Sequence, residues 1–259
     1  MTDEAHARAA TLASRAVELG RDVERLGPVV GFADALRGEF VKVVAEVKRS
    51  SPSKGLINPG LDLAKQVVAY ESGGAAAISV LTEPTRFGGS NEDLTRARAA
   101  VRIPLLKKDF HVEAVQILEA RALGASAALV IARAVSPARL GELMAAGNDA
   151  GIEILVEVRD ERELELALTL GARLVGVNNR NLETLEIDPE TALRLLPLIP
   201  ADVIAIAESG VRTAKDVERL AASGADAVLV GTEVSAASDP EKAVRSITGI
   251  KRTTGARKS

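Results

Sequence analysis

"GADAVLVG" (Gly224–Gly231) is the last of four stretches built alike; the others are "GGAAAISV" (Gly73–Val80), "GASAALVI" (Gly124–Ile131) and "GARLVGVN" (Gly171–Asn178). Each sets a Gly, then small residues, then a short apolar run, and they return roughly every fifty residues, an interval that marks a repeated supersecondary unit. A Gly that ends a helix supplies its left-handed C-cap, and an unbroken apolar run reads as a strand buried on both faces. Between these stretches lie four further apolar runs, "KVVAEV" (42–47), "RIPLLK" (102–107), "IEILVEV" (152–158) and "DVIAIA" (202–207), which makes eight strands. Helix starts fall between them. Ser90 with Asp93, Asp160 with Glu163 and Thr213 with Asp216 have capping-box spacing, and Ser136-Pro137 and Asp188-Pro189 fit an N-cap followed by Pro. Strands alternating with helices of this length call for a parallel sheet. Eight of them, with no charged edge strand, predict closure into a (β/α)8 TIM barrel.

Outside the repeat, "RAATLASRAVELGRDVERL" (8–26) has helical periodicity and "FADALRGEF" (32–40) suggests another short turn. The expected organisation is an N-terminal helical extension over 1–40, covering the bottom or the rim, a catalytic barrel over 41–249, and a basic, flexible, frayed tail over 250–259.

Composition narrows the functional classes. The 259 residues are 47% hydrophobic, enough for one large core, but only 2% aromatic, with no Trp. Stacking platforms for bases are therefore scarce, and a net charge of -3 without a basic half again disfavours nucleic acid. Zero Cys removes disulfides, thiolate nucleophiles and cysteine metal sites. No secretory leader is visible at "MTDEAHARAA" and no run approaches a membrane span, so a cytoplasmic protein, a monomer or weak homo-oligomer, is expected.

Barrels do their chemistry at the carboxyl ends of the strands. Those ends carry Glu46 and Lys48 of "VVAEVKRSSPSKG", Lys108 of "LLKKDF", Glu157 of "LVEV", Asn178 of "GVNNRN", Glu208-Ser209 of "AESG", and Gly231-Thr232. Side chains two apart on a strand share a face, so Glu46 and Lys48 point the same way. A gathering of three Glu and two Lys must be mutually compensated or functional. With no Cys, and with His6 and His111 at helical positions, acid–base work falls to Lys and Glu. A free lysine is a poor acid at neutral pH, so Lys48 and Lys108 are expected to lower one another's pKa, countered by the glutamates. Gly210 after the seventh strand, and Gly231 and Thr232 after the eighth, stand where barrels bind a phosphoryl group. No metal-ligand spacing is present, and no metal or cofactor is expected.

The motifs "AEVKRSSPSKG" (45–55), "ISVLTEPTRFGGS" (78–90), "LLKKDFHVEAVQILEARALGA" (105–125), "LVEVRDERELELAL" (155–168), "VGVNNRNLETLEID" (175–188), "IAESGV" (206–211) and "AVLVGTEV" (227–234) resemble, in family order, the indole-3-glycerol-phosphate synthases of tryptophan biosynthesis. The resemblance runs from about Phe32 to Ile247; it is weak before Phe32. It implies a small-molecule sugar-phosphate substrate, 1-(2-carboxyphenylamino)-1-deoxyribulose 5-phosphate, converted to indole-3-glycerol phosphate, CO2 and water by a carboxy-lyase. It implies Lys108 as the acid at the ketone oxygen, Lys48 or Glu157 as the acid of dehydration, and Glu46 as a holder of Lys48 or the acceptor of the final proton. Asn178 and Arg180 would orient the anthranilate carboxylate, Glu208 and Ser209 would touch the ribulose hydroxyls or water, and Ser51 and Lys48 would lie near the phosphate as well as the sugar. Phe87, Phe110, Leu129 and Leu185 would wall the aryl ring, with "RSSPSKGLINPG" (49–60) closing over it. His111 replaces an aliphatic residue, which reads as surface drift. Two rivals remain at this point: a Schiff-base aldolase with Lys108 as nucleophile, and a non-catalytic phosphate-binding barrel. The isomerase barrel that works on phosphoribosyl anthranilate is set aside, because its chemistry needs a Cys.

Overall fold

The structure, a computed structural model, describes residues 2–58, 60–253 and 255–257. Pro59 of the 49–60 loop, and Thr254, Lys258 and Ser259 of the tail, lie outside the described residues. The eight strands are β1 (Lys42–Val47), β2 (Ala77–Leu81), β3 (Leu105–Lys108), β4 (Ala127–Ile131), β5 (Glu153–Val158), β6 (Leu174–Asn178), β7 (Ile204–Glu208) and β8 (Ala227–Val230). Each pairs in parallel with its neighbours in sequence, and β8 closes on β1 from Lys42↔Ala227 to Ala45↔Val230. The chain is thus a closed (β/α)8 barrel.

Strand boundaries follow local chemistry. The third strand starts at Leu105 because Pro104 has no N–H to offer a ladder; its carbonyl still accepts from Ile78. In the loop after β1 a two-stranded hairpin, Ser50–Ser51 with Gly55–Leu56, was not foreseen from its Ser, Pro and Gly content. Of the three expected capping boxes only Thr213/Asp216 is reciprocal. Ser90 caps Asp93 N–H, but the Asp93 carboxylate is taken by Arg49 in a bidentate pair at 2.6 and 2.8 Å. Glu163 likewise accepts from Arg159 N–H rather than from its own N-cap.

Alternate residues of each strand face inward. Val44, Ala77, Leu106, Ala127, Leu155, Leu174, Ile204 and Ala227 fill the lower barrel, while the outward residues pack against the helix layer. The N-terminal extension spans the barrel from one end to the other. Helix Phe32–Ala35 plugs the bottom: Phe32, Ala33 and Leu36 join the interior cluster, and the Glu153 carboxylate at the start of β5 accepts from the N–H groups of Phe32 (2.5 Å) and Ala33 (3.0 Å). Burying a Phe of this kind contributes about 1.5–3 kcal/mol. Helices Thr2–Ala13 and Ala16–Arg25 run along helix Ala114–Ala122 toward the opposite rim. There Arg8 Nη2 donates to Asp109 at 2.6 Å.

The described part of the tail is anchored, unlike the frayed end expected from its basic composition. The Arg257 side chain, 4% exposed, donates to both oxygens of Asp226 (2.9 and 2.7 Å) and to the Val203 carbonyl (2.7 Å), and Arg252 also pairs with Asp226. Asp226 itself is fully buried at the lower end of the barrel, and such a charge needs these cations. Among the described residues no helix is long and apolar enough to cross a membrane.

Candidate active site

At the upper end, four strands aim ionisable side chains at one point. Lys108 Nζ lies 2.5 Å from Glu208 Oε2, 3.8 Å from Glu157 Oε2 and 3.9 Å from Glu46 Oε2; Lys48 Nζ lies 2.7 Å from Glu46 Oε1. Strand alternation is what selects them. Lys107, one residue earlier, points outward and buries its ammonium against Glu119 at 2.7 Å, whereas Lys108 points into the barrel mouth.

Two glycines make the room. A Cβ on Gly176 would sit 2.1 Å from Glu208 Oε1, and one on Gly231 would sit 2.4 Å from Glu46 Oε1 and 2.9 Å from Lys48 Nζ. Glu208 Oε1 is buried and has no hydrogen-bond partner among the described residues.

Three carboxylates facing two ammoniums leave one negative charge in excess, and the protonation pattern follows. Burial pushes the Glu208 carboxyl up, Lys108 opposes it and Glu157 reinforces it, and the result is about 7. Burial would drive the Lys108 ammonium down, but the charges of Glu208, Glu46 and Glu157 outweigh it and hold the proton above the ordinary lysine range. The expectation of a lowered pKa is therefore corrected at Lys108: the carboxylates dominate. Burial also works against an ionised Glu46, but Lys48 and Lys108 overcome it and hold its pKa below the ordinary range.

Around this cluster an open cleft is lined by Glu46, Lys48, Lys108, Glu157, Asn178, Arg180, Glu208, Ser209, Gly210, Gly231 and Thr232, with Phe87, Phe110 and Leu129 as apolar walls. Asn178 Oδ1 accepts from Ser209 Oγ and from Arg180 N–H, both at 2.9 Å, which leaves its amide NH2 open to the cleft. Ser209 (φ +67°) and Gly210 (φ +89°) turn the chain sharply after β7. Gly231 leads into the four-residue helix Thr232–Ser235; Lys54, 3.9 Å from Glu233, and Arg212 line the same cleft.

Two expected residues stand apart. Ser51 does not line the cleft; its hydroxyl accepts from Lys54 N–H at 3.2 Å and shapes the hairpin. Leu185 does not line it either: with φ +63° it turns its carbonyl to Arg180 Nη1 at 2.7 Å, so it fastens Arg180 rather than walling the ring. Leu182 and Ile187 stand in the cleft wall instead. Both belong to the quoted "VGVNNRNLETLEID" run, so the signal was there. His111 is buried, not surface drift. Nδ1 lies 2.7 Å from the Leu129 carbonyl, and burial together with the Lys107 charge pushes its pKa down to about 4.

Sequence reading missed Glu83 and Asp109, both buried in the cleft wall. Glu83 caps helix Pro84–Phe87, accepting from the N–H groups of Thr85, Arg86 and Phe87 at 3.1, 2.7 and 3.2 Å, and so sets Phe87. The acid before Pro84 was its signal. Asp109 accepts from Phe110 N–H (2.8 Å), Thr82 Oγ1 (2.7 Å) and Arg8 (2.6 Å), and so sets Phe110. Among the described residues no three His, Asp or Glu are placed to hold a metal ion; the three glutamates surround an ammonium instead.

A family model described as indole-3-glycerol phosphate synthase matches residues 3–247. The match extends through the N-terminal helices, where sequence reading had seen only weak similarity before Phe32. Among curated proteins, indole-3-glycerol phosphate synthase 1 of Streptomyces coelicolor is 49% identical over 88% of this chain and 84% of its own length. The synthase of a Nocardioides species is 51% identical over 80% of each. Among solved structures, thiamine phosphate pyrophosphorylase from Pyrococcus furiosus aligns with a TM-score of 0.60 over 80% of this chain and 93% of that one, at 16% identity, a likeness of fold alone.

Proposed function

The chain belongs to the indole-3-glycerol phosphate synthase family, and from that premise we propose how its rim residues divide the work. The activity is that of a carboxy-lyase of tryptophan biosynthesis, which forms indole-3-glycerol phosphate from the carboxyphenylamino sugar phosphate. The observation that carries the assignment of roles is the Lys108 ammonium set among Glu208, Glu157 and Glu46. Phe87, Phe110 and Leu129 line the same cleft, and the turns after β7 and β8 supply glycines for a phosphate.

The aryl ring lies between the apolar walls, and the phosphate lies against the backbone of Gly210, Gly231 and Thr232, with Lys54 and Arg212 nearby. The ring carbon bearing the carboxylate attacks the ketone carbon, and the developing alkoxide, a stronger base than the lysine amine even among its carboxylates, takes a proton from Lys108 to become a hydroxyl. Protonated Glu208, at hydrogen-bond distance, reloads Lys108. Asn178 and Arg180 hold the carboxylate until the C–C bond breaks and CO2 leaves its electron pair to the ring. An acid, Lys48 or Glu157, then protonates the hydroxyl, which departs as water. A carboxylate takes the proton from the carbon beside nitrogen, completing the indole; Glu46, held by Lys48, is placed for that step. Two protons enter and one leaves, so the reaction consumes one proton for each carboxylate lost as CO2. A charged sugar phosphate does not cross a bilayer unaided, which supports a cytoplasmic setting.

A Schiff-base aldolase needs a neutral lysine, and the charges around Lys108 hold its proton more firmly than usual. The test is direct. Mixing the protein with the carboxyphenylamino sugar phosphate should give rising indole fluorescence and CO2. A borohydride-trappable adduct on Lys108 without indole would overturn the reading.

A further inference from the structure

The fully buried Ser235 sits where two parts of the site meet. Strand β8 ends at Val230, opposite Ala45, and the chain turns into helix Thr232–Ser235. Even-numbered residues of β1 direct their peptide groups toward β8: the Lys42 N–H donates to the Asp226 carbonyl at 2.9 Å. Odd-numbered ones face β2, where Ala76 N–H donates to the Val43 carbonyl at 2.9 Å. The Glu46 carbonyl and the Lys48 N–H therefore face the side on which β8 has run out.

The Ser235 hydroxyl takes up both. It donates to the Glu46 carbonyl at 2.8 Å and accepts from the Lys48 N–H at 3.1 Å, so a single O–H stands in for a missing peptide unit of the ladder. Behind it, the fully buried Tyr70 hydroxyl lies 3.2 Å from both Ser235 Oγ and the Glu46 carbonyl. Gln66 Nε2 donates to the Tyr70 hydroxyl (3.0 Å) and to the Val234 carbonyl (3.2 Å). The Ser235 carbonyl accepts from Asn58 Nδ2 at 3.0 Å, which ties down the end of the loop that follows β1.

We propose that Ser235 is a positioning residue for the reaction: its hydroxyl extends the sheet past the end of β8 and fixes the backbone on both sides of Val47, and with it the Glu46–Lys48 pair, relative to the helix that begins at Thr232. The proposal rests on the reading of Glu46 and Lys48 as working groups. An apolar residue at 235 would leave the Lys48 N–H without a partner in a dry region, free to drift from the setting that holds its side chain. Displacements of this kind act on turnover more than on substrate affinity.

The test is a double-mutant cycle of Ser235→Ala with Lys48→Ala, read in kcat, KM and melting temperature. Alone, Ser235→Ala should lower kcat about tenfold with KM changed less than about threefold. In the Lys48→Ala background, where the pair no longer exists, the same change should cost less than about threefold. Ser235→Cys, which keeps a weak donor and acceptor, should regain part of the turnover. If Ser235→Ala does not fold, Ser235→Cys replaces it in the cycle with a smaller expected loss of kcat, about threefold alone and none in the Lys48→Ala background. An equal loss in both backgrounds, or no loss in the first, would overturn the positioning role while leaving the site reading intact. Wild-type turnover by Lys48→Ala would instead overturn the site reading, and the proposal with it.

Discussion

Lys107 and Lys108 are neighbours in the chain with opposite surroundings, one ion-paired behind the barrel wall and one among the carboxylates of its mouth. Lys108→Ala should therefore lower kcat per folded molecule by at least about a hundredfold, the scale of a lost general acid; turnover near normal would remove Lys108 from the mechanism. Glu208 gives a pH signature. In the folded chain it keeps its proton up to about pH 7, against an ordinary value of 4.5, so its contribution to stability is complete below 4.5 and is lost as the pH rises through 7. Thermal melts of Glu208→Gln beside the parent should show the variant gaining relative stability between pH 5 and 8; a constant difference would mean that Glu208 does not titrate there. The members of this cluster were legible because charge at the end of an apolar strand is costly and period two fixes its side. Their protonation was not, since it depends on distances between strands far apart in sequence. Leu185 failed for a related reason: a left-handed backbone at a Leu leaves no mark in the sequence.

Elements outside the barrel set the walls of the cleft. Arg8 on the first helix pairs with Asp109 at 2.6 Å and approaches Glu83 at 3.9 Å, the two acids that fix Phe110 and Phe87. Arg8→Ala should loosen both walls and raise KM roughly tenfold while kcat falls less, because binding of the ring is lost before the chemistry is. Millimolar guanidinium should restore part of the affinity; an unchanged KM would show that the walls stand without the helix. Sequence periodicity revealed these helices but not their docking. A helix's apolar stripe says that it packs, and only long-range partners such as Asp109 and Glu153 say where.

Across the whole molecule the two barrel ends divide stability from chemistry, as the repeat of glycine-capped strands foretold for the fold itself. That repeat was readable because every unit buries its strand on both faces; the anchored tail was not, because its partner Asp226 lies in the eighth unit and looks like any turn residue. Asp226→Asn removes the charge between Arg252 and Arg257 and should lower the melting temperature by several degrees, as breaking a buried ion pair does, with kcat per folded molecule unchanged. Loss of turnover would mean that the lower end communicates with the upper. The unbalanced carboxylates of the mouth have one more consequence. A ligand that brings both a carboxylate and a phosphate beside a cluster whose carboxylates outnumber its ammoniums tightens their hold on protons and draws hydrogen ions from solution as it docks. The heat of association should therefore differ between buffers of low and high ionisation enthalpy, and the difference should shrink when Glu208 is replaced by Gln.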